Sequence, residues 1–124
     1  MPNRYKNDWD RRAREDSRGY IASHDHETEE VFDSSGARMK EVIFGIADFQ
    51  EEGPLDRVLE IGCGSGRILG HFGGEFKKLC GIDVSPEMLL LARERLAKKG
   101  ITDALDLLEV DGDGRIRTEE KFDL

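Results

Sequence analysis

Apolar residues along this chain change their spacing near its middle. From Ser34 to Gly53 they recur at helical intervals, as Met39, Val42, Ile43, Ile46, Ala47 and Phe49; from Arg57 onward they form short runs broken by turn residues. The first pattern predicts an amphipathic helix that begins at a hydroxyl cap, Ser34 or Ser35, and stops at Gly53-Pro54. The second predicts a strand from Arg57 to Ile61, a glycine turn, a helix from Ser65 to Phe72 and a strand from Lys78 to Ile82. A helix from Pro86 to Lys99 follows, then a strand from Leu105 to Val110, with Phe122-Asp123-Leu124 opening a fourth. The helix from Pro86 is well punctuated. Ser85 can cap it, Pro86 takes the first position, Glu87 complements the first turn, Lys98 and Lys99 the last, and Gly100 lies beyond. Its apolar residues Met88, Leu89, Ala92 and Leu96 share one face.

Strands and helices alternating at this length imply an α/β fold, a doubly wound parallel sheet with right-handed crossovers. Upstream, residues 1–33 are polar, with Trp9, Tyr20, Ile21, Val31 and Phe32 as scattered anchors; a short helix near residues 8–16 and then irregular chain are expected. The division that follows is a polar N-terminal cap segment, 1–33, and an α/β domain, 34–124, cut off inside its fourth strand.

Composition narrows the class. With 124 residues the chain holds one domain or part of one, and 37% hydrophobic against 37% charged residues describes a highly charged globular protein. No run reaches the roughly 20 apolar residues of a membrane span, and the charged N-terminus has no apolar signal core. A cytoplasmic location is the default, and no membrane partner is expected. A net charge of −8 does not indicate nucleic acid, because Arg11, Arg12, Arg14 and Arg18 are interleaved with Asp8, Asp10, Glu15 and Asp16. The two cysteines, Cys63 and Cys80, suit a reducing compartment.

The sharpest chemical feature is LEIGCGSG, Leu59 to Gly66, between a strand and a helix. Glycines at 62, 64 and 66 let the backbone turn tightly and let a ligand approach without a Cβ in the way, and a helix start beyond them would offer free N–H groups. About twenty residues on, GIDVSPEML puts Asp83 at the carboxyl end of the second strand, where a carboxylate can accept hydrogen bonds from both hydroxyls of a ribose. A dinucleotide fingerprint would need a glycine where Arg67 stands, which disfavours an NAD-dependent oxidoreductase.

Glu60 followed by Gly-x-Gly-x-Gly resembles the first motif of class I S-adenosylmethionine-dependent methyltransferases. The resemblance covers about residues 30–124, roughly the first half of that Rossmann-like fold. It implies S-adenosylmethionine as cofactor, with Glu60, Gly62, Cys63, Gly64 and Gly66 at its methionine end and Asp83 on its ribose. It also implies Val84 and Met88 against the adenine and Asp113 at the adenine amino group, with Asp111 as the competing register. The segment NDWDRRARED before RGYIAS looks like the leading helix and cap of some bacterial members, in which Tyr20 would cover the cofactor. Acceptor specificity in the family arises mainly after the fourth strand, so the methyl acceptor and any catalytic base are not written in these residues. A first strand left as a sheet edge would invite self-association.

A rival reading comes from EVDGDGRIRTEE. Asp111, Asp113, Gly114, Ile116 and Glu120 stand where a calcium-binding EF-hand loop needs them, although Glu109 replaces the first Asp and only Lys121 to Leu124 remain for the exit helix. His24 and His26 beside Glu27 and Glu29 read as a solvated loop, His71 reads as a packing residue, and no metal site is expected.

Overall fold

The computed structural model describes residues 3–21, 28–47, 55–112, 115–116 and 118–124. Gly53-Pro54, His24, His26, Asp113 and Gly114 lie outside the described residues, as does the side chain of Tyr20.

Two helices precede the sheet. Helix α1 spans Arg4–Ile21, and its backbone leaves helical geometry at Asp16 (φ −158°, ψ 78°). It is longer than the expected segment because Asn3 starts it, accepting from the Lys6 amide at 3.1 Å, and because Arg11 and Arg12 reach Asp8 and Glu15 at helical spacing. Helix α2 spans Glu29–Ile46, beginning several residues before the expected cap. Thr28 is the cap: its hydroxyl accepts from the Val31 amide at 3.2 Å, with Glu29 and Glu30 in the first turn. Ser35 instead sits inside the helix, donating to the Phe32 carbonyl at 2.6 Å.

The sheet has three parallel strands in the order β1 (Leu55–Ile61), β2 (Phe76–Asp83), β3 (Leu105–Glu109), with Val58 opposite Leu79 and Leu79 opposite Leu105. Helix α3, Pro86–Lys98, joins β2 to β3 and starts as expected, the Ser85 hydroxyl accepting from the Met88 amide at 3.1 Å. The helix expected from Ser65 to Phe72 is not formed. A turn runs through residues 64–68 into a single 3₁₀ turn, Leu69–His71. Glycines at 64, 66, 70, 73 and 74 make an α-helix there costly, since each loses more freedom on ordering than any other residue.

One apolar cluster joins these elements: Leu55 and Val58 of β1, Phe76 and Leu79 of β2, Leu105 of β3, Leu89 and Leu96 of α3, Leu69 and Phe72, with Ile43 and Phe44 of α2 against it. Phe72 meets both Phe44 and Phe76 at ring centroid distances of 5.6 Å. The α2 and α3 helices are clamped by charge, since Arg95 pairs with Glu29 while its guanidinium lies 4.6 Å over Phe32. On the opposite face Ile61 and Leu108 stay exposed. The free edge of β1 carries the end of the chain: Asp123 N–H donates to the Arg57 carbonyl at 2.8 Å, and Leu59 N–H to the Leu124 carbonyl at 3.0 Å. These residues run beside β1 in the place expected of a fourth strand.

Candidate functional site

The three strands end at a common edge, and a cleft of about 580 Å³ opens there. Its floor is Ile61, Gly62 and Gly64 after β1, Ile82, Asp83 and Val84 after β2, and Val110 and Gly112 after β3; Arg115 and Ile116 border it, and Tyr5 and Trp9 of α1 face it. Crevices at the carboxyl ends of parallel strands are where open α/β sheets bind ligands, because the loops there diverge.

Backbone geometry explains the floor. Gly62, Gly64 and Gly66 have φ of 72°, 53° and 81°, a region closed to most side chains. With these angles the Gly62 and Cys63 amides both donate to the Ile82 carbonyl, at 2.8 and 3.0 Å, folding the turn back over the end of β2. A Cβ at Gly62 would meet nothing within 4 Å, so the cleft begins at its α-carbon. Gly66 is tight instead, as a Cβ there would stand 2.6 Å from Leu96 Cδ1.

Asp83 ties the turn to the sheet. Its Oδ2 accepts from the Gly64 amide at 2.9 Å and its Oδ1 from the Ser85 amide at 3.0 Å. A carboxylate offers about four acceptor sites, so each oxygen keeps one for a ligand hydroxyl. Val84 borders the cleft beside it, and a Cβ at Gly112 would approach Val84 Cγ1 at 3.0 Å, so the loop after β3 lies close on that side.

Glu60 lies behind the turn. Its register opposite Gly81 puts it on the same face as the core residue Val58. Burial pushes its carboxyl up to about 7; a hydrogen bond from the Leu69 backbone and the nearby Arg67 charge oppose this, and Asp83 adds to it. Its Oε2 is buried without a hydrogen-bond partner, as are Ser65 Oγ and Arg67 Nε. Cys63 is buried against Gly81, and burial first, then the Glu60 and Asp83 charges, raise its thiol far above the ordinary value, so it is a packing residue rather than a nucleophile.

Of the residues singled out by sequence, the structure brings Gly62, Gly64, Asp83 and Val84 to the cleft. Glu60, Cys63 and Gly66 form the turn's underside, and Met88, 1% exposed, is in the core. Asp113 is outside the described residues; Asp111 is exposed, with its carbonyl accepting from Asn3 Nδ2 at 2.9 Å. The resemblance names the segment containing Trp9 as a leading helix and cap but assigns its cofactor contact to Tyr20; Tyr5 and Trp9 at the cleft have no local signal, because tertiary packing brings α1 there, and the helical context of Gly36 conceals its contact with the turn.

The calcium reading is not favoured. Glu109 is the last residue of β3 with its carboxylate on Lys6, and the described residues 118–124 contain no helix, so neither flank of an EF-hand is present. Cys80, Asp106 and Glu120 do bring ligand atoms within 4.8 Å of one another. However, Lys78 holds Asp106 at 2.8 Å, Arg57 approaches Glu120 at 4.0 Å, and burial raises the Cys80 thiol. Among the described residues no helix is long and apolar enough to cross a membrane.

Comparison with known proteins agrees with this geometry. The family model described as a methyltransferase domain matches residues 58–124. A probable cobalt-precorrin-6B C(15)-methyltransferase (decarboxylating) of Methanobrevibacter smithii is 28% identical over 71 residues, 57% of this chain; the match spans 38% of that relative's length. Among solved structures, DesVI of Streptomyces venezuelae superposes with a TM-score of 0.52 at 26% identity, covering 76% of this chain and 35% of that one. The N-methyltransferase NodS of Bradyrhizobium japonicum, in complex with S-adenosylhomocysteine, superposes with a TM-score of 0.55 at 20% identity over 86% of this chain and 47% of that one, a likeness of fold.

Proposed function

Since the chain belongs to the methyltransferase-domain family, we propose that it binds S-adenosylmethionine in the cleft at the strand ends and takes part in transfer of its methyl group. The observation that carries this reading is Asp83, whose two oxygens each face an amide of the cleft's rim and keep acceptor capacity toward the cleft. A vicinal diol matches that carboxylate. The fit extends to the glycine turn, where Gly62 leaves open space at its α-carbon. Glu60 supports the turn from behind, its Oε2 buried beneath the glycines that face the cleft.

When bound, the cofactor supplies an electrophilic methyl group on a sulfonium. The residues of this chain bind and orient it: Asp83 fixes the ribose, Val84 and the loop after β3 flank the base, and the turn from Gly62 to Gly66 takes the amino-acid end. Positioning is most of what a protein contributes to such an in-line displacement. Free, buried Cys63 and Cys80 support action in a reducing compartment such as the cytosol.

Equilibrium dialysis with labelled S-adenosylmethionine, competed by S-adenosylhomocysteine, NAD and calcium, tests the reading. Saturable binding displaced by S-adenosylhomocysteine and untouched by NAD or calcium is expected. Displacement by NAD with equal strength, or no binding, would overturn it.

A further inference from the structure

We propose that α1 supplies an aromatic wall for the nucleoside half of the cleft, with Tyr5 and Trp9 facing a purine base and Asp10 as the positioning residue that fixes the helix there. The proposal rests on the cofactor reading above and adds residues to it.

The argument starts from where α1 is fastened. Asn3 Nδ2 donates to the Asp111 carbonyl at 2.9 Å, Lys6 pairs with Glu109, and Asp10 Oδ1 accepts from the Ser85 hydroxyl at 2.5 Å and from the Glu87 amide at 3.4 Å. Every one of these partners follows β2 or ends or follows β3, the side of the cleft that holds Asp83, and none belongs to the glycine turn. The described contacts of the helix therefore set it over the ribose-and-base end. Its side chains agree. Among its described side chains those it buries are Asp10 and Ala13, while Tyr5 is 60% exposed although it borders the cleft. Trp9 stands edge-on to Tyr5 at 6.4 Å and carries the Arg12 guanidinium 4.9 Å from its ring. Two aromatic rings presented to a cavity instead of the core suit a flat, polarizable ligand, and base–aromatic stacking is tolerant of exact geometry.

Asp10 does more than anchor. Ser85, which it holds through the hydroxyl, donates its amide to Asp83, which in turn accepts from Gly64. A continuous chain of hydrogen bonds thus runs from α1 to the glycine turn, and Asp10, only 8% exposed, sets the position of the ribose carboxylate through it.

Trp9 is the sole tryptophan of the sequence, so its emission reports on this wall alone. Calorimetry and Trp9 fluorescence are followed during titration of the full chain with S-adenosylhomocysteine, adenosine and methionine. S-adenosylhomocysteine and adenosine are expected to change the emission with the midpoint seen by heat, and methionine is expected to leave it unchanged. Trp9→Leu should weaken S-adenosylhomocysteine binding about tenfold, Trp9→Phe should restore most of it, and Asp10→Ala should weaken binding of adenosine as much as that of the whole ligand. If Trp9→Leu fails to fold, the wild-type emission response to adenosine against methionine decides alone. No heat with S-adenosylhomocysteine would overturn the cofactor reading and this one together. Heat with silent emission, or full affinity in folded Trp9→Leu, would overturn this proposal only.

Discussion

Helix α2 crosses the glycine turn so closely that a Cβ added to Gly36 would stand 2.0 Å from the carbonyl oxygen of Arg67. The contact is against backbone, so no rotamer change relieves it. Replacing a helix-interior glycine by alanine ordinarily stabilises by about 1 kcal/mol; here Gly36→Ala is expected to destabilise by roughly 1–3 kcal/mol, the usual cost of overpacking. Urea unfolding checks the sign, and a midpoint at or above wild type would contradict the packing described.

The glycines of the turn are expected to separate into two kinds. Gly62→Ala meets no atom within 4 Å and bears only the cost of its φ of 72°, roughly 1–2 kcal/mol. Gly66→Ala bears the same strain at φ 81° and also collides with Leu96 at 2.6 Å, so it should be the more destabilising by thermal melting. Ligand binding should order them otherwise, with folded Gly62→Ala losing affinity because its methyl enters the cleft. Equal affinity of Gly62→Ala and wild type would mean that no ligand lies against this turn.

The sheet and α3 were legible because their signals are local. Ser85, Pro86 and Gly100 punctuate α3, and the apolar runs of β1, β2 and β3 appear within two residues of their observed ends. The helix expected from Ser65 to Phe72 does not form, because the glycines at 66 and 70 within it and at 73 and 74 beyond it raise the entropy cost of ordering that stretch. The start of α2 lies upstream of Ser34 and Ser35 although Ser is the better cap in isolation; Thr28 caps it, and the earlier start places the buried Phe32 within the helix. In the site, Gly62, Gly64 and Asp83 were readable from spacing. The Asp10–Ser85 bond joins residues 75 positions apart, which no local pattern encodes.

Glu60 should make stability pH-dependent. Its carboxyl, raised from 4.5 to about 7 in the folded chain, favours the protonated form there, so its contribution is present below about pH 4.5 and lost as pH rises through about 7. The span corresponds to roughly 3 kcal/mol between those limits. Glu60→Gln, which keeps the shape without the charge, should remove most of the decline between pH 5 and 8. Urea titrations of both proteins at several pH values measure the difference, and parallel pH profiles would contradict the burial assigned to Glu60.

The most direct test of the account is calorimetric titration of S-adenosylhomocysteine into the wild-type chain and into Asp83→Ala, with folding of both verified by circular dichroism. Saturable one-to-one binding by wild type that weakens at least tenfold in folded Asp83→Ala is the predicted result. Equal affinity of the two proteins would contradict the assignment of the ribose to Asp83, and absence of binding to wild type would contradict the cofactor cleft itself.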